Sequence, residues 1–144
     1  CDSLEWAYSV FDIREEYCNQ KRYPNAERKF CSSVEDFLKG ESEDSLARFS
    51  DILLLSHDWS VDEEMLVGLL QLCRAGSRPR IGAIGSKKKW SAFEKKAIES
   101  GVEKWLIDSV RCPIGLDIGA DTPEEIAIAV CAEVLSLERK NGAT

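Results

Sequence analysis

Four consecutive aliphatic residues, Ile52-Leu53-Leu54-Leu55, set the tightest limit on what this chain can fold into. A strand with one wet face alternates apolar and polar residues. An uninterrupted apolar run is instead covered on both faces, as in a parallel sheet sandwiched between helices. The flanking segments continue that pattern. Ala7-Tyr8-Ser9-Val10-Phe11 and Arg80 to Ile84 read as further strands, and a short extended piece is expected near Val110. Between the second and third strands, Ser60-Val61-Asp62-Glu63 has capping-box spacing. It opens a helix on which Met65, Leu66, Leu69, Leu70 and Cys73 keep helical periodicity until Gly76. Gly85-Ser86 leads into a helix with Trp90, Phe93, Ala97 and Ile98 on one face and Gly101 past its end. Thr122-Pro123-Glu124-Glu125 combines an N-cap hydroxyl, a proline at the first helical position and two acids in the first turn. The last helix that follows carries the stripe Ile126, Val130, Val134 and Leu137, and is expected to run to about Leu137.

Strand and helix in alternation predict an α/β fold, a three-layer Rossmann-like domain with a mostly parallel sheet. Such a dinucleotide fold begins with a strand entering a G-x-G-x-x-G turn, a spacing found nowhere in the 144 residues. The first strand and its glycine-rich turn are therefore expected before residue 1, with Cys1 to Trp6 as the tail of their helix. The length fits one domain over residues 1–144. Residues 15–31 are rich in charge and read as an extended loop with at most one helical turn. Ser32-Ser33-Val34-Glu35 then opens a short helix closed by Gly40, and Glu41 to Asp44 read as linker.

A net charge of −7 argues against nucleic acid as the main partner. The longest apolar run falls far short of the ~20 residues of a membrane span, and no leader precedes it, so no membrane association and a cytoplasmic location are expected. The six cysteines lack C-x-x-C spacing and read as unpaired, buried small residues, with no metal site.

In parallel α/β sheets ligands sit at the carboxyl ends of the strands. The residues there are Asp12 and Arg14, His57 and Asp58, Gly85-Ser86-Lys87-Lys88-Lys89, and the loop from Pro113 to Asp121 with Gly115 and Gly119. Between Arg80 and Lys96 six basic residues face one acid, Glu94, which points to a specific anionic partner on an acidic protein. A helix start carries about half a positive charge and favours acids, yet Lys87, Lys88 and Lys89 occupy this first turn. A bound phosphate resolves that conflict: Gly85 permits close backbone approach, Ser86 and the free amides donate, and lysines add charge. The plain alternative is that the lysines splay into solvent. Asp12 stands where a dinucleotide fold holds ribose hydroxyls, but pairing with Arg14 explains it equally well. His57-Asp58 has the composition of an acid–base pair, although a strand-end histidine bonded to backbone is the stronger reading, so no catalytic residue is assigned.

Taken together, Ile81-Gly82-Ala83-Ile84-Gly85-Ser86-Lys87-Lys88, Ser56-His57-Asp58 and the stretch Cys112-Pro113-Ile114-Gly115-Leu116-Asp117-Ile118-Gly119-Ala120-Asp121-Thr122-Pro123-Glu124-Glu125-Ile126-Ala127 resemble the XdhC/CoxI family, with Asp12-Ile13-Arg14 and Pro24-Asn25-Ala26 in keeping. The likeness covers the family's C-terminal Rossmann-like half, without its N-terminal domain or its G-A-G-H turn. It implies a non-catalytic accessory protein that binds the molybdenum cofactor, molybdopterin. It also implies help with sulfuration by a cysteine desulfurase and delivery to a molybdenum hydroxylase apoenzyme such as xanthine dehydrogenase. A homo-oligomer is expected. On this reading Asp12, Arg14, His57, Asp58, Gly82, Gly85, Ser86, Lys87, Lys88, Pro113, Gly115 and Gly119 line the cofactor site. A domain binding NAD(P) or another nucleotide in an oxidoreductase or transferase, and a structural dimerisation domain, are the competing readings.

Overall fold

The computed structural model describes residues 4–56, 58–74 and 79–142. The chain divides into two compact units, one up to Ser42 and one from Glu43 onward.

In the first unit β1 (Val10–Asp12) pairs in parallel with β2 (Lys29–Cys31), setting Phe11 beside Phe30. A single 3-10 turn, Glu15–Tyr17, lies between them. β2 falls inside the stretch expected to be loop. Its three residues, Lys-Phe-Cys, are too few to show a period, and the partner strand supplies the order. Phe37, on α1 (Val34–Lys39), meets Phe11 and Phe30 with ring centroids 5.3 and 5.1 Å away, which gives this unit its aromatic centre. The α1 cap is Ser33, whose Oγ accepts the Asp36 N–H at 3.1 Å, one residue later than the Ser32 to Glu35 pattern predicts. Cys18 and Cys31 form a disulfide with Cα atoms 6.2 Å apart, correcting the expectation of unpaired cysteines. The fold of the intervening segment creates that proximity, and a separation of 13 residues does not announce it.

The second unit starts with α2 (Glu43–Leu46), a single turn anchored by fully buried Leu46 where linker was expected. β3 (Asp51–Leu54) and β4 (Arg80–Ala83) pair in parallel with Ile52 beside Ile81. Arg111 joins β4 on its other side: its N–H donates to the Ile81 carbonyl at 3.1 Å and its carbonyl accepts from Ala83 N–H at 2.8 Å. β4 is therefore central, and the extended piece expected near Val110 is a one-residue bridge. Ladder bonds alternate along a parallel strand, so β3 turns the backbone groups of Ile52 and Leu54 toward β4 and those of Asp51 and Leu53 outward. Those outward groups have no ladder partner among the described residues.

α3 (Trp59–Leu72) begins earlier than predicted because Asp58, not Ser60, is its cap, its Oδ1 accepting the Ser60 N–H at 2.9 Å. Met65, Leu66, Leu69 and Leu70 fill the core as their spacing predicts, whereas Gly76 lies outside the described residues. On α4 (Lys87–Glu99) the buried stripe is Lys89, Phe93 and Ala97. Ile98, expected on that stripe, is 51% exposed because the true stripe starts one residue earlier than Trp90. After α5 (Lys104–Asp108), α6 (Pro123–Gly142) opens as the sequence dictates. Thr122 Oγ1 accepts from Glu125 N–H at 3.2 Å, and Glu125 Oε1 accepts from Asp121 and Thr122 N–H at 3.0 and 3.3 Å. It continues past Leu137 to Gly142. No helix among the described residues is long and apolar enough to cross a membrane.

An ionic cluster ties the amino-terminal edge of the sheet to α6. Arg80 grips Asp51 in two places, Nε to Oδ1 at 3.0 Å and Nη2 to Oδ2 at 2.7 Å, and reaches Glu138 Oε2 at 3.1 Å. Arg111 bonds Glu133 and approaches Asp51 Oδ1 at 3.6 Å. Burial pushes the Asp51 carboxyl up, but hydrogen bonds from Arg80 and Ser50 together with the two guanidinium charges leave it below the usual range. A carboxylate with a depressed folded value stabilises above its unfolded value, about 3.9, and loses that contribution as pH falls through the folded value. Asp51→Asn will therefore be less stable near neutrality and show a flatter stability profile under acid, measured by urea unfolding at stepped pH. Gly82→Ala provides a second check. An added Cβ would lie 2.3 Å from Ile114 Cγ2, so overpacking of about 1–3 kcal/mol is expected in the same assay.

Candidate functional site

The carboxyl edge of the second unit's sheet gathers three chain segments: Ser56 and Asp58 after β3, Ile84 to Lys88 after β4, and Pro113 to Gly119 after Arg111. Gly85, at φ 148°, turns the chain out of β4, and Ser86 caps α4 by accepting the Lys89 N–H at 3.3 Å. Lys87 and Lys88 stand exposed on this first turn and form no ion pair among the described residues. They face the positive end of the helix dipole with no acid in that turn.

Lys89 behaves differently from its neighbours. It is 3% exposed, and its Nζ donates to Asp62 Oδ2 at 3.1 Å and to the Ile84 carbonyl at 2.8 Å. Asp62 Oδ1 accepts from the Ser56 N–H at 3.4 Å. One buried pair thus joins the loop after β3 to the loop after β4. Gly85 is required by this arrangement, since a Cβ there would lie 2.4 Å from Lys89 Cδ. The glycine makes room for a lysine stem. Burial raises the Asp62 carboxyl above its ordinary value despite the opposing hydrogen bond and charge of Lys89. Sequence reasoning missed Asp62 as a partner and counted Lys89 among the outward lysines. The available signal was position: Lys89 precedes Phe93 by one helical turn and Asp62 precedes Leu66 by one, which puts both on buried stripes.

Asp58 serves as the α3 cap, and its Oδ1 also accepts from Ser60 Oγ at 2.6 Å. His57 lies outside the described residues. The loop after Arg111 enters through a cis Cys112–Pro113 bond and is pinned by Ile114 N–H to the Ala83 carbonyl at 3.1 Å. Gly82, within β4, has the space of its absent side chain filled by Ile114. Gly115, at φ 104°, sits against Ala129 of α6, and the following Leu116 N–H donates to the Ala129 carbonyl at 3.1 Å. Gly119, at φ 72°, borders open space, and Leu116 and Ile118 are exposed beside it. Burial pushes the Cys112 thiol up, against the pull of the Lys89 charge.

Asp12 and Arg14 belong to the first unit and bond each other. Arg14 N–H reaches Asp12 Oδ1 at 2.9 Å and the side chains meet at 3.2 Å, while the guanidinium lies 3.9 Å from the Tyr17 ring centroid. Burial raises the Asp12 carboxyl, and the Arg14 bonds and charge together more than reverse this, leaving it lowered. No group of three or more His, Cys, Asp or Glu side chains suited to a metal ion occurs among the described residues.

A family model described as the XdhC Rossmann domain matches residues 1–134. The chain is 32% identical over 135 residues to the uncharacterized protein YqeB of Escherichia coli, covering 94% of this chain and 24% of that protein. It is 28% identical over 131 residues to a probable xanthine dehydrogenase component of Bacillus subtilis, covering 91% and 36%. A crystal structure described as a xanthine dehydrogenase from Bacillus halodurans superimposes with a TM-score of 0.75 at 26% identity, over 96% of this chain and 37% of that one. The chain thus spans between about a quarter and two fifths of the length of these relatives.

The contrast among the lysines is directly measurable. Removing one partner of the buried pair, by Asp62→Ala or Lys89→Ala, is expected to cost about 3–5 kcal/mol in urea unfolding because it strands the other charge. Lys87→Ala and Lys88→Ala should each stay within about 0.5 kcal/mol of the parent chain.

Proposed function

We propose, from the premise that this chain belongs to the XdhC Rossmann-domain family, that it is the cofactor-holding part of an accessory protein for a xanthine dehydrogenase-type molybdenum hydroxylase. The bound group is the molybdenum cofactor. The observation that carries this reading is the exposed Lys87 and Lys88, without an ion pair among the described residues, on the first turn of α4 at the carboxyl edge of a parallel sheet. A phosphate there would meet the free amides of a helix start, the Ser86 hydroxyl and two ammonium groups at once. The cofactor's pterin phosphate has that chemistry, and when bound the group supplies the molybdenum centre on which the hydroxylase depends.

The chain's own residues have defined tasks in this scheme. Lys87, Lys88 and Ser86 bind the phosphate. Lys89 and Asp62 hold the loops of Ser56 and Gly85 at a fixed spacing beneath it. Gly119 leaves open space in which a flat heterocycle can approach backbone, and Leu116 and Ile118 offer apolar cover that excludes water. No step requires a catalytic residue, in keeping with holding and delivery. Asp12, Arg14, His57 and Asp58 complete the cofactor contacts in this proposal, a cysteine desulfurase and the hydroxylase apoenzyme are the partners, and the working form is a homo-oligomer in the cytoplasm.

The test is to purify the chain after co-expression with an intact molybdopterin pathway, denature it, and measure fluorescence of oxidised pterin in the extract. Pterin should co-purify with the parent chain and fall on the order of tenfold in Lys87→Glu/Lys88→Glu, which replaces two charge-assisted contacts with repulsion. Bound NAD(P) without pterin overturns the proposal. So does a charge-reversed variant that keeps its pterin and gains stability, because acids there suit the dipole.

A further inference from the structure

We infer that the Cys18–Cys31 bond is a reversible thiol latch on the segment that follows β1. Three observations in the first unit carry this. The two sulfurs sit in opposite environments: Cys18 is fully buried and Cys31, the last residue of β2, is exposed. The segment they close has mainly short-range ties of its own. Tyr17 N–H bonds Arg14, Tyr23 N–H bonds Asn19, Ala26 N–H bonds Tyr23, and only at Glu27 and Arg28 does the backbone rejoin the β1 ladder through Tyr8 and Val10. The covalent bond is thus what fastens the middle of this segment to a strand. It also ends two residues before Ser33, the cap of α1, and begins from a sulfur 3.9 Å from the Asp12 carbonyl, so its state bears on both neighbours.

The exposure difference dictates the chemistry. A thiolate of a small thiol such as glutathione attacks the accessible Cys31 sulfur, forming a mixed disulfide and releasing Cys18 as a thiol after it takes up a proton. A second thiolate attacks the glutathione sulfur, freeing Cys31, which is protonated in turn. In sum, two glutathione thiols become one glutathione disulfide, and the protein gains two electrons and two protons. Glutathione disulfide reverses each step. With the bond open, residues 19 to 26 keep mainly their local turns, and the exposed Lys21-Arg22 pair becomes the point where the change is read.

The inference does not depend on the cofactor proposal, and its readouts involve no pterin. The purified chain is equilibrated across a series of reduced-to-oxidised glutathione ratios and trapped with N-ethylmaleimide. Labelled cysteines are assigned by mass spectrometry, and in parallel samples the rate of tryptic cleavage at Lys21 and Arg22 is followed. Cys18 and Cys31 should gain label together as the ratio rises, and cleavage should accelerate on the order of tenfold, since a bond closing a loop of this size constrains it strongly. Cys31→Ser should be cleaved at the reduced rate in every buffer. Full labelling of both cysteines in the most oxidising buffer overturns the latch, as does a cleavage rate indifferent to their state. If Cys31→Ser does not fold, the glutathione series on the parent chain decides alone.

Discussion

The buried contact between Lys89 and Asp62 is the constraint on which the second unit's functional edge depends. An ammonium and a carboxylate that are each about 3% exposed persist only when their remaining hydrogen-bonding capacity is met. Here it is met by backbone: the Ile84 carbonyl on one side and the Ser56 amide on the other. The pair therefore measures the gap between the ends of β3 and β4, and α3 and α4 are oriented by the side chains they lend to it. Gly85 follows from the same constraint, because no other residue leaves space for the lysine stem.

This changes the meaning of three consecutive lysines. They look equivalent in the sequence and have distinct jobs in the fold. Lys89 neutralises an internal acid and is spent on architecture, whereas Lys87 and Lys88 remain outside with the helix start. The electrostatic case for an anion survives on two charges. A ligand there would rest on a platform whose spacing is already fixed, and binding would need little reorganisation of the loops.

The alternation of strands and helices, the final helix with its Thr122 cap, and the Ser86 start of α4 were legible in sequence because each rests on local chemistry or on a long periodic run. β2 and α2 were not, since three or four residues carry no period and take their order from partners. The Asp58 cap was obscured by an equally good pattern at Ser60. Only packing decides between such patterns, and it decided for the one that turns Asp62 inward. Cys18 and Cys31 were misread for a related reason, because proximity across a loop leaves no trace in spacing. Gly82 and Gly85 were assigned as space for a ligand, and both are filled by the protein itself, one by Ile114 and the other by Lys89.

The outward-facing backbone of β3 has a consequence for how this chain behaves in company. Strand edges in soluble proteins are commonly blunted by a lysine, a proline or a bulge. β3 reads Asp-Ile-Leu-Leu and has none of the three. Asp51, the one charge on it, is already engaged by Arg80, and the amide and carbonyl of Leu53 point away from β4 in an apolar setting. Any extended segment with matching apolar residues can add backbone hydrogen bonds there with little selectivity, so β3 is a template for strand addition and, at high concentration, for edge-to-edge self-association.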